Sequence, residues 1–248
     1  MDRDTARAWV RRWDDQQTRY IADREERFTV IADVVAAATA DDAEPLVLDL
    51  GCGPGSLSVR LAERFRKATV VGVDQDPVLL ALAEIGYSDV ARFVDADLAA
   101  PGWMAGVDLP GPVDAAVSTT ALHWIPPERL PELYREVAGL LRPGGVLVNG
   151  DNLYDDQPTI ARLAASVLEA RAERVGVTDN EDWGSWWDSV IAEPSLAAAV
   201  AERNRRGARH GITEYSVEHH TELLRAAGFT EVGTVWQSGD DMVLVAVK

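Results

Sequence analysis

Asp49, Gly51, Gly53 and Gly55 crowd one short segment, Val47-Leu48-Asp49-Leu50-Gly51-Cys52-Gly53-Pro54-Gly55, and Asp74 and Asp97 follow at the ends of the next two apolar runs. Glycines in that pattern let the backbone turn sharply and approach a ligand closely, and a helix starting directly after them offers unpaired N–H groups. An acid at the end of the second strand can accept both hydroxyls of a ribose, and Asp97, in Asp95-Ala96-Asp97-Leu98, is placed to meet an adenine edge. Polar groups at successive strand ends share one rim of a parallel sheet, where open α/β sheets bind ligands. Alone, the glycine loop also fits a plain strand–turn–helix connection, and each acid a helix N-cap. Together they point to a ligand containing a nucleoside.

The elements that must carry these residues alternate from residue 46 onward. Short β-branched runs at 46–50, 69–73, 90–94, 113–119 and 146–149 alternate with helical patterns, the signature of βαβ units in a parallel sheet. Helices are expected over 56–65, with Leu57, Leu61 and Phe65 on one stripe, from the cap pair Asp76-Pro77 to Gly86, and over 127–141. Arg142-Pro143-Gly144-Gly145 should stop the last of these and turn into the fifth strand. Residues 151–212 then read as helical and carry Trp183, Trp186 and Trp187. Ser216 is the expected N-cap of a helix closed by Ala227-Gly228-Phe229, and strands at 231–236 and 242–247 should pair as an antiparallel hairpin. The first forty residues form a helical region with Trp9, Trp13, Tyr20, Phe28 and Ile31 at helical spacing. One α/β domain over 1–248 is expected: a helical cap (1–45), a ligand-binding core (46–150), a helical insertion (151–212), and a last helix with its hairpin (213–248).

Composition narrows the class. With 248 residues, 47% of them hydrophobic, the chain can bury a full core. The formal charge of −17 argues against a nucleic-acid partner, which needs clustered Lys and Arg. Arg203, Arg205, Arg206 and Arg209 form a local basic spot, read as a solvated helix face, and the acidity itself slightly favours a neutral or cationic ligand. Cys52 is the single cysteine, so no internal disulfide and no cysteine-rich zinc site is expected. The N-terminus lacks the apolar run of a secretory signal and nothing is long enough to span a bilayer, which makes the cytoplasm the expected compartment and a membrane partner unexpected. The oligomeric state is left open.

DLGCGPG, VVGVDQD, VDADL, VDAAVSTTALHWI and LLRPGG, in that order, are similar to the successive motifs of the class I S-adenosylmethionine (SAM)-dependent methyltransferases. The resemblance runs over about 46–150 and resumes in AAGF and the final hairpin. It implies a Rossmann-like doubly wound, mostly parallel seven-stranded sheet with a terminal antiparallel hairpin. It implies SAM as cofactor, with S-adenosylhomocysteine (SAH) as product, and methyl transfer to O, N or C of a small-molecule acceptor. It further implies Gly51, Gly53 and Gly55 around the methionine part, Asp49 near its amino group, Asp74 on the ribose, Asp97 and Leu98 framing the adenine with Gln75 beside it, and Thr119 facing the methionine portion. From the N-terminal helices Tyr20 and Arg24 become candidate contacts, Arg24 as partner of the methionine carboxylate or as an arginine on a solvated face. A nicotinamide-dependent dehydrogenase would prefer G-x-G-x-x-G, whereas this chain has G-x-G-P-G with an acid two residues before the first glycine.

Methyl transfer from a sulfonium is an in-line displacement, so alignment and water exclusion can supply much of the catalysis. His123, in Thr120-Ala121-Leu122-His123-Trp124, is a candidate base beside the methyl or a structural anchor of its loop, and Trp124 reads as packing. Tyr20 is the second catalytic candidate, through its hydroxyl. The tryptophans of the insertion could wall the acceptor pocket or fill a core. His210, His219 and His220 read as surface or capping residues. Asp151-Asn152 is similar to the metal-binding pair of catechol-type methyltransferases, but two oxygen ligands rarely make a magnesium site, so no metal is expected. A rival reading keeps fold and cofactor but drops the transfer, giving a SAM-binding protein with a regulatory role.

Overall fold

A computed structural model describes residues 1–207 and 211–248. Seven strands form one sheet in the order β3-β2-β1-β4-β5-β7-β6: β1 (Leu46–Leu50), β2 (Thr69–Asp74), β3 (Arg92–Asp95), β4 (Val113–Thr119), β5 (Leu141–Asn152), β6 (Glu231–Ser238) and β7 (Asp241–Val247). The first five pair in parallel, and β7 enters antiparallel between β5 and β6. The expected doubly wound sheet and terminal hairpin are therefore present. Strand order reverses at β1, flanked by β2 and β4, and such a switch point opens a crevice at the strands' carboxyl ends.

Helices α1 (Arg3–Thr18) and α2 (Arg24–Ala38) resolve the N-terminal helical region into two, broken at a turn where Ile21 is buried. Then come α3 (Ser56–Arg64), α4 (Pro77–Tyr87), α5 (Leu130–Leu140), α6 (Pro158–Val175), α7 (Trp183–Ile191), α8 (Ala197–Arg206) and α9 (Val217–Ala226). The Asp76 side chain accepts from the Val78 and Leu79 N–H groups, and Ser216 caps α9 through His219 N–H, as their residue types predict. Two boundaries differ from expectation. Gly86 does not stop α4. It is the penultimate residue of the helix, beside α1, and its carbonyl accepts from Arg7 Nε at 2.9 Å. The segment Arg142-Pro143-Gly144-Gly145 bulges within β5 rather than preceding it, since Leu141 pairs with Val113 and Val146 with Ala115. Arg142 holds the bulge by donating to the Asp114 carboxylate and to Ala38 O.

One apolar layer packs α5 and α9 on one sheet face, and a second packs α2 and α3 on the other. A third cluster joins α1, α4 and α7 around fully buried Trp186, whose ring meets Trp9 and Trp13 edge-on at 6.0 and 4.8 Å. Across the second layer Arg27 of α2, wholly buried, donates through Nε to Asp241 of β7 at 2.6 Å and through Nη1 toward Gly150 O and Thr119 Oγ1. Gly150 has to be glycine there, because a Cβ would lie 2.8 Å from Arg27 Cδ. Burial pushes the Asp241 carboxyl up to about 6 against the opposing Arg27 charge, so the pair is costly to hold and costlier to break. Arg27→Met should lower stability by about 3–5 kcal/mol by leaving Asp241 buried alone, and adding Asp241→Leu should recover much of the loss. Urea-unfolding midpoints of the three proteins check this.

Candidate functional site

β1 is buried along its whole length, so its chain must turn abruptly where it meets solvent. Gly51 and Gly55 make that turn at φ +75° and +89°, conformations that favour glycine. Each is also sterically locked: a Cβ on Gly51 would lie 2.3 Å from Ala121 Cβ, and one on Gly55 would lie 2.9 Å from Phe93 Cζ. The Gly51 and Cys52 N–H groups both donate to Val73 O, tying the loop to the end of β2. Asp74 completes the tie. Its Oδ2 accepts from Gly53 N–H and its Oδ1 from Asp76 N–H, each at 2.8 Å.

Above this loop lies a cavity of about 850 Å³. From the expected set, Arg24, Gly51, Gly53, Asp74, Gln75, Asp97 and Thr119 line it. Tyr20, Asp49, Gly55, Leu98 and His123 do not, each for a visible reason. Asp49 is buried behind the loop with Oδ2 on Ser58 Oγ at 2.6 Å, and burial pushes its carboxyl up to about 7, the nearby Asp74 charge adding to that. Gly55 packs on Phe93, and Leu98 belongs to the core between the sheet and α5. The Tyr20 hydroxyl accepts from Trp183 N–H at 3.1 Å, fastening the α1–α2 turn to the start of α7.

His123 is not among the lining residues, and its Nδ1 lies 2.9 and 3.0 Å from the two oxygens of Asp151, a buried residue of β5. Burial alone would lower the imidazole's pKa, but the Asp151 charge and hydrogen bond outweigh it and hold the ring above its ordinary value. Burial likewise raises the Asp151 carboxyl, and the charge and hydrogen bond of His123, with the Arg27 charge, outweigh that and hold it low. The pair pins the loop after β4, where Thr120 takes a positive φ of 48° and Thr120, Ala121 and Trp124 line the cavity. This pairing is the anchoring role expected of His123, and the same bond at Nδ1 leaves the role of Nε2 open.

Other side chains also depart from expectation. Trp124 lines the cavity instead of only packing. Trp183 and Trp187 wall it while Trp186 is core, so the insertion does both jobs. Arg203 and Arg206 turn inward to line it, whereas Arg205, 77% exposed, keeps the solvated-face role. Arg209 and His210 lie outside the described residues. His220 is buried, not superficial. Burial pushes its pKa down to about 4, and as a neutral ring it accepts at Nδ1 from the Tyr134 hydroxyl at 2.5 Å. His219 is exposed. Trp13 and Gln17 of α1 also line the cavity, positions that only the packing of α1 against α7 reveals. Among the described residues, no group of three or more His, Cys, Asp or Glu could hold a metal, and no helix is long and apolar enough to cross a membrane. Cys52 is free and buried, and burial raises its thiol well above the usual range.

Known proteins resemble this chain in sequence and in fold. Residues 47–145 match a family model described as a methyltransferase domain. The chain is 40% identical over 167 residues to trans-aconitate 2-methyltransferase of Azoarcus sp. (strain BH72), the match covering 62% of this chain and 60% of that one. To the proteins of the same name from Deinococcus radiodurans and Methylobacterium nodulans it is 35% and 31% identical, the matches covering 53% and 70% of this chain and 47% and 66% of theirs. The matches thus span between about half and two thirds of these relatives' own length. In fold, it is similar to Synechocystis magnesium protoporphyrin IX methyltransferase with bound SAH (TM-score 0.53, 20% identity, covering 95% of this chain and 86% of that one). It is likewise similar to human N-acetylserotonin methyltransferase in complex with SAM (TM-score 0.52, 17% identity, 94% and 59%).

The His123–Asp151 pair makes a pH-dependent contribution to stability. A His held above its reference value of 6.5 contributes fully below that pH, and the contribution fades as pH rises through the folded value. Asp151, held below 3.8, adds stability above that value and loses it in acid. The stability lost in His123→Asn should therefore be larger at about pH 6 than at about pH 9, by urea unfolding; a difference that grows with pH contradicts the pairing.

Proposed function

The chain belongs to the class I SAM-dependent methyltransferase family, and on that premise we propose that it methylates a small carboxylic acid on a carboxylate oxygen. SAM supplies a methyl group already activated on a sulfonium. The cavity fits that cofactor: a glycine loop that lines it at Gly51 and Gly53, a carboxylate at the end of β2, another after β3, and the helix start at Ser56. Asp74 is assigned the ribose hydroxyls, a carboxylate being able to accept several donors at once, and Asp97 with Gln75 the adenine end. Arg24, buried, with Nη1 on Asp14 and no partner for Nε among the described residues, is assigned the methionine carboxylate. Asp49, Gly55 and Leu98 support the loop and the cavity floor from behind. Thr119 and Thr120 orient the reacting ends above β4.

The observation that carries the acceptor reading is that neither candidate base lines the cavity. Neither His123, whose Nδ1 is on Asp151, nor Tyr20, whose hydroxyl accepts from Trp183 N–H, is among the residues that line the cavity. A carboxylate is already a competent nucleophile at neutral pH and needs no proton removed, whereas a hydroxyl or an ammonium does. The relatives named for trans-aconitate, a small polycarboxylate, fit this. The expected preference for a neutral or cationic acceptor gives way to the local chemistry, because Arg24, Arg203 and Arg206 line the cavity despite the acidic whole. The tryptophans of the insertion wall the space without filling it, which supports a transferase over a SAM-binding regulator.

Incubation with methyl-labelled SAM and a panel of mono- and polycarboxylic acids should yield base-labile methyl esters. The rate with saturating substrates should be nearly flat from about pH 6.5 to 8.5, and Tyr20→Phe should retain most of it. A rate rising about tenfold per pH unit, or transfer to alcohols and amines instead, would sink the carboxylate assignment.

A further inference from the structure

The arginines that line the cavity differ in what already binds them. Arg206 is occupied on all sides: Nη1 donates to Gln75 O at 2.7 Å, both terminal nitrogens meet the Asp95 carboxylate at 2.8 and 2.6 Å, and Nε donates to Glu202 at 2.9 Å. Arg24, 4% exposed, lies beside Ser56 at the start of α3, sharing the Asp14 carboxylate with the Ser56 hydroxyl. Arg203 is held differently. Its Nε donates to Asp76 Oδ2 at 2.9 Å, and its guanidinium carbon stands 4.1 Å from the centroid of the Trp187 ring. Trp187 is 6% exposed and wedged against Trp186, Trp183 and Trp13, with centroids 5.2, 5.7 and 6.4 Å away, so the platform cannot tilt freely. Neither terminal nitrogen of Arg203 has a hydrogen-bond partner among the described residues. A guanidinium laid on an indole and fixed through Nε presents its outer edge in one orientation, the fork that takes a carboxylate with two parallel bonds. Orientation set in advance reduces the entropy lost on binding.

We infer that Arg203 recognises the acceptor, its outer guanidinium edge holding a carboxylate other than the one that is methylated. This rests on the SAM and carboxylic-acid reading above. The count of anions supports it: the cofactor carries a single carboxylate, and Arg24 at the Ser56 end is assigned to it. The fork on Arg203 is left for the acceptor. Asp74 and Asp97 make the strand-end wall of the cavity repel an anion, which favours the α8 side where Arg203 sits. Acceptors with two or more carboxylates are therefore preferred over monocarboxylates of equal size.

Tricarballylate, titrated into protein loaded with SAH, tests this without any transfer taking place. Arg203→Gln and Arg203→Lys should each weaken tricarballylate binding by about tenfold or more, lysine failing because it keeps the charge but not the fork, while SAH affinity stays within about twofold. Unchanged tricarballylate binding, no binding to the wild type, or a parallel loss of SAH affinity would overturn the assignment. Turnover separates the two layers of the argument. If the wild type binds tricarballylate through Arg203 yet esterifies no carboxylic acid, the transfer reading fails and the site stands. If it esterifies polycarboxylates with a KM indifferent to Arg203, the site fails and the transfer reading stands.

Discussion

The structure turns on the Asp74 carboxylate, which accepts one N–H from the glycine loop and one from the start of α4. With those bonds a side chain at the end of β2 fixes both the loop leaving β1 and the helix that follows β2. Charge-assisted bonds to backbone donors are stronger than neutral ones, and these sit where the sheet order reverses and a crevice must open. Everything else that lines the cavity is placed relative to that frame. α1 packs on α4, α7 on α1, and α8 on α4, so the roof takes its position from the helix that Asp74 and Asp76 start.

The roof is held by the apolar cluster around Trp186 and by long-range polar contacts. Tyr20 ties the α1–α2 turn to α7, Arg12 reaches Glu181 and Ser189, and Arg19 reaches Asn180 O. α8 buries none of its own residues and is held at the rim by arginines on Asp76, Gln75 and Asp95. The same segments therefore set cavity shape and cavity charge. That coupling explains how a protein of strongly negative net charge can present guanidinium groups to a small anion. The long-range field opposes such a ligand, and the desolvated local contacts decide.

The sequence exposed what depends on neighbours in the chain. The Asp49–Gly55 loop, the Asp76-Pro77 helix start and the Ser216 cap follow from residue types within a few positions, and the hairpin from the closeness of its two strands. Side-chain direction did not follow, because it is set across large separations. His123 is taken by a residue 28 positions on, Tyr20 by one 163 away, and Arg206 by an aspartate 111 earlier. Gly86, read locally as a helix stop, is off by one residue: α4 runs on to Tyr87, and the Gly86 carbonyl accepts from Arg7 of α1. The inward turn of Arg203 and Arg206 had one faint local signal, their spacing of three on a helix, which places them on one face.

The claim on which the rest depends is that this frame holds an adenosine bearing an amino-acid tail. Calorimetric titration of SAH into the wild type and Asp74→Ala tests it directly. Saturable one-to-one binding to the wild type and a loss of about a hundredfold in the variant are expected, since the charge-assisted contacts and the tie to the loop are removed together. No heat with SAH, or equal affinity in both proteins, would contradict it.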